Sequence, residues 1–176
     1  MIRRRGLNAT SVRDLAKHAR APLGSTYHYF PGGKQQLAGE AIRYSGDVVA
    51  RTLAAKLEEG PLAGLQALLS WWREVVLRTE FRAGCPVLAV SVEEPDDSDT
   101  ELLAAAAEVF GSWELLLANA LRDADAADED ADRVATLIVA AVEGTVAMCR
   151  AKRSIEPLDR IASQLELAVK AVTTAR

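Results

Sequence analysis

Thr10 to Lys34, TSVRDLAKHARAPLGSTYHYFPGGK, holds two short helical patterns parted by one proline and closed by another, and it restricts the fold more tightly than any other stretch. Val12, Leu15, Ala16 and Ala19 recur at the i, i+3, i+4, i+7 spacing and draw an apolar stripe along a first helix, which Thr10 or Ser11 can cap. Arg13, Asp14, Lys17 and His18 fall on the opposite face. Pro22 has no N–H with which to continue a helix, yet it suits the first position of a new one, so one helix stops near Ala19 and the next starts near Pro22. That second helix ends by Pro31, Gly32 and Gly33, and Lys34 opens a third. Two short helices joined in this way form the unit whose second helix enters the DNA major groove.

The chain has 176 residues, 49% of them apolar but only 5% aromatic, and no long run of alternating β-branched residues, so the expected fold is all-α. Net charge is −4 overall, yet it is polarised. Residues 1–44 carry eight Lys or Arg against Asp14 and Glu40, whereas 45–176 carry 13 basic and 23 acidic side chains. A basic head attracts phosphates and an acidic body does not compete for them, which predicts a DNA-binding domain over 1–44 and a second domain over 45–176. Cys85 and Cys149 show no CxxC or Cys/His spacing, as suits a reduced cytoplasm. No signal peptide precedes the motif, and Leu137 to Val142 is flanked too closely by charge to span a membrane, so a soluble protein without a membrane partner is expected.

Beyond the head, breakers separate further helices. One runs from Lys34 to Leu57 before Gly60 and Pro61, and a second from Leu62 to Phe81 before Gly84 to Pro86. A shorter one, about Val87 to Glu94, leads into the acidic loop Glu93 to Asp97. Ser98 with Glu101 makes a capping-box pattern for a long helix to about Arg122, and the last two helices span about Glu129 to Lys152 and Pro157 to Ala175.

The N-terminal run resembles the helix-turn-helix of the tetracycline-repressor (TetR) family of transcriptional regulators, with Ser25, Tyr27, Tyr29 and Phe30 standing where that family's G-S-x-Y-x-x-F signature places them. Pro22, the run Pro31 to Lys34, and Gly84, Cys85, Pro86 followed by Val87, Leu88 and Ala89 are similar to the LmrA/YxaF-like branch, whose members often respond to small hydrophobic compounds. The resemblance implies a DNA-binding head and a C-terminal helical domain for effector binding and dimerisation. It puts Leu23, Gly24, Ser25 and His28 toward base edges, and Tyr27, Tyr29 and Lys34 on phosphates, with Thr10 or Ser11 offering a hydroxyl and helix-start amides to another phosphate. Core packing is the competing role for Tyr27, Tyr29 and Phe30.

For the second domain the resemblance implies a homodimer built from the last two helices, with Ala141, Gly144, Thr145, Met148, Ile161, Leu165, Ala168 and Val172 as candidate contacts. Such stripes can equally face the monomer's own core. Trp71, Trp72, Phe81, Cys85, Phe110, Trp113 and Met148 are the candidate lining of an effector cavity for a flat or greasy molecule of little charge, unless they too are core. Glu143, Glu114 and Arg78 are the possible polar contacts there. The implied function is a repressor that leaves a palindromic operator in double-stranded DNA when a small hydrophobic effector binds.

Three departures from the family stand out. Only Met1 to Arg5 precede Gly6 and Leu7, so most of the first helix is missing and Val12 and Leu15 should lose part of their cover. Arg20 occupies the place of a turn glycine, and a second glycine precedes Lys34. A truncated head leaves one alternative, a helical dimer that binds a ligand or partner without gripping DNA. An enzyme is not expected. His18 and His28 both lie in the head, and there is no catalytic Ser/His/Asp order, HExxH, phosphate-cradling glycine loop or cofactor motif. The carboxylates from Glu93 to Asp99 lack the glycine-punctuated spacing of a calcium loop, so no metal is expected.

Overall fold

A computed structural model describes residues 1–93 and 100–173, which form nine helices and no strand. In chain order these are α1 (Ile2–Arg5), α2 (Val12–Ala19), α3 (Leu23–Tyr29), α4 (Gly33–Leu57), α5 (Pro61–Arg78), α6 (Pro86–Ser91), α7 (Thr100–Asp123), α8 (Asp128–Lys152) and α9 (Glu156–Thr173). The all-α expectation holds, with most ends displaced by a residue or a few. α5 stops at Arg78 rather than Phe81 because Glu80 and Phe81 take left-handed backbone angles, φ 52° and 60°, which no helix can carry. Ser98, expected to cap the long helix, lies outside the described residues.

The chain divides into two compact units. The first comprises Met1–Gly46 and Cys85–Val109, and the second Asp47–Gly84 and everything from Phe110. The first unit therefore includes 85–109, which nothing in the sequence attached to the head.

In the first unit α1 packs on α6 and α2 on α3. Four residues of α1 suffice to bury Ile2, and Leu7 is buried after it, so Val12 and Ala16 keep their cover while Leu15 is half-buried and Ala19 exposed. Of Val12 and Leu15, for which a loss of cover is expected, only Leu15 shows one. α4 and α7 approach closely where Gly46 faces Val109, since a Cβ on Gly46 would lie 2.5 Å from a Val109 methyl. Glu93 holds the segment after α1, its carboxylate accepting the Leu7 N–H at 2.6 Å and the Asn8 N–H at 2.8 Å. Gly6 (φ 80°) fits there because a Cβ would collide with the Glu93 carboxylate.

The second unit is built around α8, which packs against α5 and α9 while α5 also packs on α9. Val134, Ala135, Ile138, Val142 and Val146 are buried along α8, with Leu65, Leu69 and Val76 on α5 and Leu158, Leu165 and Val169 on α9. Each large aliphatic so buried contributes about 1.5–3 kcal/mol. α8 contains a stretch of mean hydropathy 1.6, long and apolar enough to cross a membrane, but half of that stretch is buried in the unit's own core.

Candidate nucleic-acid interface and internal cavity

Ser11 caps α2: its backbone is extended, its Oγ accepts the Asp14 N–H at 3.1 Å, and its hydroxyl donates to the Asp14 carboxylate at 2.6 Å. Thr10 is different. It is 2% exposed, and its hydroxyl donates to the Gly6 carbonyl at 2.8 Å, which ties the entry segment to α2 and leaves Ser11 as the hydroxyl at the surface.

α2 ends on Arg20 in the left-handed region, φ 55° and ψ 32°, so the turn keeps the shape that glycine normally allows. The Ala21 N–H reaches back to the Ala16 carbonyl at 2.9 Å to close it. Pro22 then occupies the N-cap of α3 in an extended conformation, so the helix starts at Leu23, one residue later than the sequence suggested. Beneath α3, Thr26 is buried and donates its hydroxyl to the Pro22 carbonyl at 3.2 Å. The sequence did not single out this residue, because a threonine in mid-helix carries no signal of burial by itself.

Gly24, Ser25, Tyr27, His28 and Tyr29 are all exposed on α3, with Leu23 and Phe30 half-buried. Tyr27 is 51% and Tyr29 73% exposed, so neither ring is spent on the core, while Phe30 is the partly covered member of the trio. His28 stands edge-on to Tyr29, with ring centroids 5.3 Å apart. Gly33 (φ 64°) turns the chain into α4, and the Gly32 N–H is held by the Gln36 side chain at 3.0 Å, so the second glycine is absorbed by the turn and Lys34 sits in the first turn of α4. Arg3, Arg4, Arg5, Arg13, Lys17 and Arg20 are exposed on the same unit.

In the second unit a cavity of about 10 Å³, room for roughly one water, lies among Val49, Leu53, Leu68, Trp72, Trp113, Val139, Val142 and Glu143. Two of the seven candidate lining residues, Trp72 and Trp113, face it. Trp71 packs edge-on against Trp72 at 4.7 Å and Phe110 against Trp113 at 5.7 Å, so these two rings back the indoles instead of lining the space. Phe81 lies in the left-handed turn after α5, Met148 is largely exposed on α8, and Cys85 belongs to the first unit. The five aliphatic lining residues could not be found from sequence, since an inward valine on a helix looks the same beside a cavity as beside a neighbour.

Of the polar candidates, Glu143 is on the cavity wall and only 5% exposed, while Glu114 is half-buried and the exposed Arg78 pairs with Glu74 at 3.0 Å. A larger space of about 550 Å³ is a surface groove of the first unit, along Gln35, Gln36, Glu40, Arg43, Glu101 and Leu102. Neither cysteine is in a disulfide and both are buried, and burial pushes the Cys149 thiol up, away from thiolate reactivity. Among the described residues no three His, Cys, Asp or Glu side chains converge to hold a metal.

On α8 and α9, Thr145 and Leu165 are buried inside this one chain, Ala141, Ile161, Ala168 and Val172 are half-buried, and Gly144 and Met148 are exposed. Leu137, Ala140 and Ala147 extend the exposed stripe of α8, and Leu167 and Ala171 expose apolar surface on α9.

Residues 1–41 match the family described as bacterial regulatory proteins, tetR family, and 61–164 match the C-terminal domain of LmrA/YxaF-like transcriptional regulators. An uncharacterised HTH-type transcriptional regulator of Mycobacterium tuberculosis is 41% identical over 169 residues, covering 94% of this chain and 86% of the relative. The HTH-type regulator YxaF of Bacillus subtilis is 32% identical over 94% of this chain and 87% of its own length. The crystal structure of a regulatory protein TetR from Rhodobacter sphaeroides superposes with a TM-score of 0.81 at 27% identity, covering 93% of this chain and 90% of that one.

Proposed function

Because the chain belongs to the tetR family of bacterial regulatory proteins, which are DNA-binding regulators of transcription and not enzymes, we propose that it is a repressor released from its operator by a small, largely apolar effector. The observation that carries this reading is α3, a helix locked from below by Thr26 with Ser25, Tyr27, His28 and Tyr29 open to solvent. Ser25, beside the exposed Gly24 and His28 and the half-buried Leu23, reads base edges. Tyr27, Tyr29 and Lys34 grip phosphate, and Ser11, its exposed hydroxyl turning from the Asp14 carboxylate, grips another with the first amides of α2. The Thr10 hydroxyl is already given to Gly6, so Thr10 acts by fixing Ser11.

One α3 spans too few base pairs for specificity, so two copies bind a palindrome with their heads at fixed separation. The pairing face is the exposed stripe Leu137, Ala140, Gly144 and Met148 of α8 with Leu167 and Ala171 of α9. Thr145 and Leu165 support it from within.

Release follows from differential binding. Any effector larger than a water must part the walls of the cavity, and α4, whose first turn holds Lys34, supplies Val49 and Leu53 to those walls. A molecule that binds the parted form better shifts the population toward it, and operator affinity falls by the same factor.

Titration of labelled duplex from the region upstream of its gene tests the division of labour on α3. Tyr27→Phe and Lys34→Ala should weaken binding to every sequence, Lys34→Ala also lowering the salt slope by about one, whereas Ser25→Ala should reorder preference among sequences. Equal, sequence-independent losses from all three would refute it.

A further inference from the structure

We infer that Arg20 is a phosphate-binding residue of the head: with Lys34 it brackets the recognition helix, one cation before α3 and one after it, and each reaches the backbone of the duplex. This rests on the DNA reading above and adds a contact to it.

Between Arg20 and Lys34 the sequence holds no Lys or Arg, so α3 brings no permanent positive charge of its own to the duplex. Pro22, at its N-cap, makes no side-chain hydrogen bond and has no N–H to offer. The turn before it is no better supplied with amides. The Arg20 N–H is held by the Ala16 and Lys17 carbonyls, and the Ala21 N–H by that of Ala16. Charge that meets a phosphate ahead of α3 must then come from the end of α2, where Arg20 stands. With seven residues α3 is about 10 Å long, and a helix of that size in a groove about 12 Å wide keeps both its ends within a long side chain's reach of phosphate. Arg20 is exposed, and among the described residues its guanidinium meets no acidic side chain and no carbonyl. Arg153 takes the same left-handed backbone at the end of α8, but there the guanidinium donates to the Glu80 carbonyl at 3.5 Å. Arg20 thus bears its strain with no contact inside the chain to offset it, a pattern expected of a side chain kept for a ligand, and a guanidinium suits a phosphate's paired oxygens.

Titration of the full chain with labelled duplex from upstream of its gene, repeated over a range of salt concentrations, decides the matter. Arg20→Gly relieves the strained turn, so a residue of purely structural role would leave binding equal or stronger. Loss of a phosphate contact should instead weaken binding about five- to tenfold per head at about 0.1 M salt and lower the salt slope by about one per head. Arg20→Lys keeps a charge and should keep the slope, while Arg20→Gln, with the strain retained and the charge gone, should lose it. Undiminished affinity or slope in Arg20→Gly, or a slope lost as fully in Arg20→Lys as in Arg20→Gln, overturns the inference while leaving the DNA reading in place. An unaltered chain that binds no duplex overturns that reading and this contact together. Should Arg20→Gly fail to fold, Arg20→Lys and Arg20→Gln decide between them, and equal slopes in those two count against the inference.

Discussion

Arg20 closes α2 in the left-handed region, where its Cβ crowds the following carbonyl at a cost of about 1–2 kcal/mol. Arg20→Gly removes that strain and should raise stability by about 1 kcal/mol, somewhat offset by the freedom glycine gains when unfolded, and thermal denaturation will measure it. Glu93 works in the opposite direction. Its carboxylate accepts two backbone N–H groups after α1, so Glu93→Ala strands the part-buried Leu7 N–H, leaves the Asn8 N–H to water, and should cost about 1–3 kcal/mol of local stability. Faster hydrogen exchange at the Leu7 and Asn8 amides is the direct readout; unchanged exchange would mean the clamp is not formed in solution. Much at this scale was legible. The Ser11 cap and the exposed α3 side chains follow from local spacing, whereas Glu93 was hidden because its partners lie 86 and 85 positions away.

Helix limits are set by breakers and caps, and α8 shows both controls, with Asp128, Glu129 and Asp130 in its first turn, Arg150 and Lys152 in its last, and Arg153 (φ 50°) at its C-cap. Arg122 joins α7 to α8 through Asp128 and Asp132 at 3.0 and 2.6 Å, and the hydrogen bond to Asp132 is the main reason its guanidinium is held still more firmly protonated. How closely two helices approach is another matter. Gly46→Ala gains helix propensity of about 1 kcal/mol but drives a Cβ into the stiff Val109 side chain, an overpacking cost of about 1–3 kcal/mol, so net destabilisation is expected. Gly111→Ala, with open space around its Cβ, should instead stabilise by up to about 1 kcal/mol. Opposite shifts of the two denaturation midpoints check the close approach of α4 and α7; shifts of the same sign would deny it.

For the whole molecule the decisive quantity is the number of chains. The stripe carrying Leu137 and Met148 on α8, each 48% exposed, and Leu167 on α9 is apolar surface that a monomer would leave in water. Sedimentation should find a dimer, and Leu137→Glu with Met148→Glu should yield a helical monomer with much weaker operator binding, because a palindrome is then read by one head at a time. A double variant that stays dimeric would move the interface elsewhere. What the sequence determined by itself was everything local: the helix-turn-helix, the helix limits and the polarity of charge, since periodicity, proline, glycine and caps act over a turn or two. Tertiary structure alone decided which apolar faces the chain spends on itself. It turned Thr145 and Leu165 inward, put Trp72 and Trp113 on a cavity with Trp71 and Phe110 behind them, set Glu143 on the same wall, and joined 85–109 to the head. The physical reason is that an apolar stripe specifies burial but not its partner, and the partner is chosen by contacts between segments far apart in the chain.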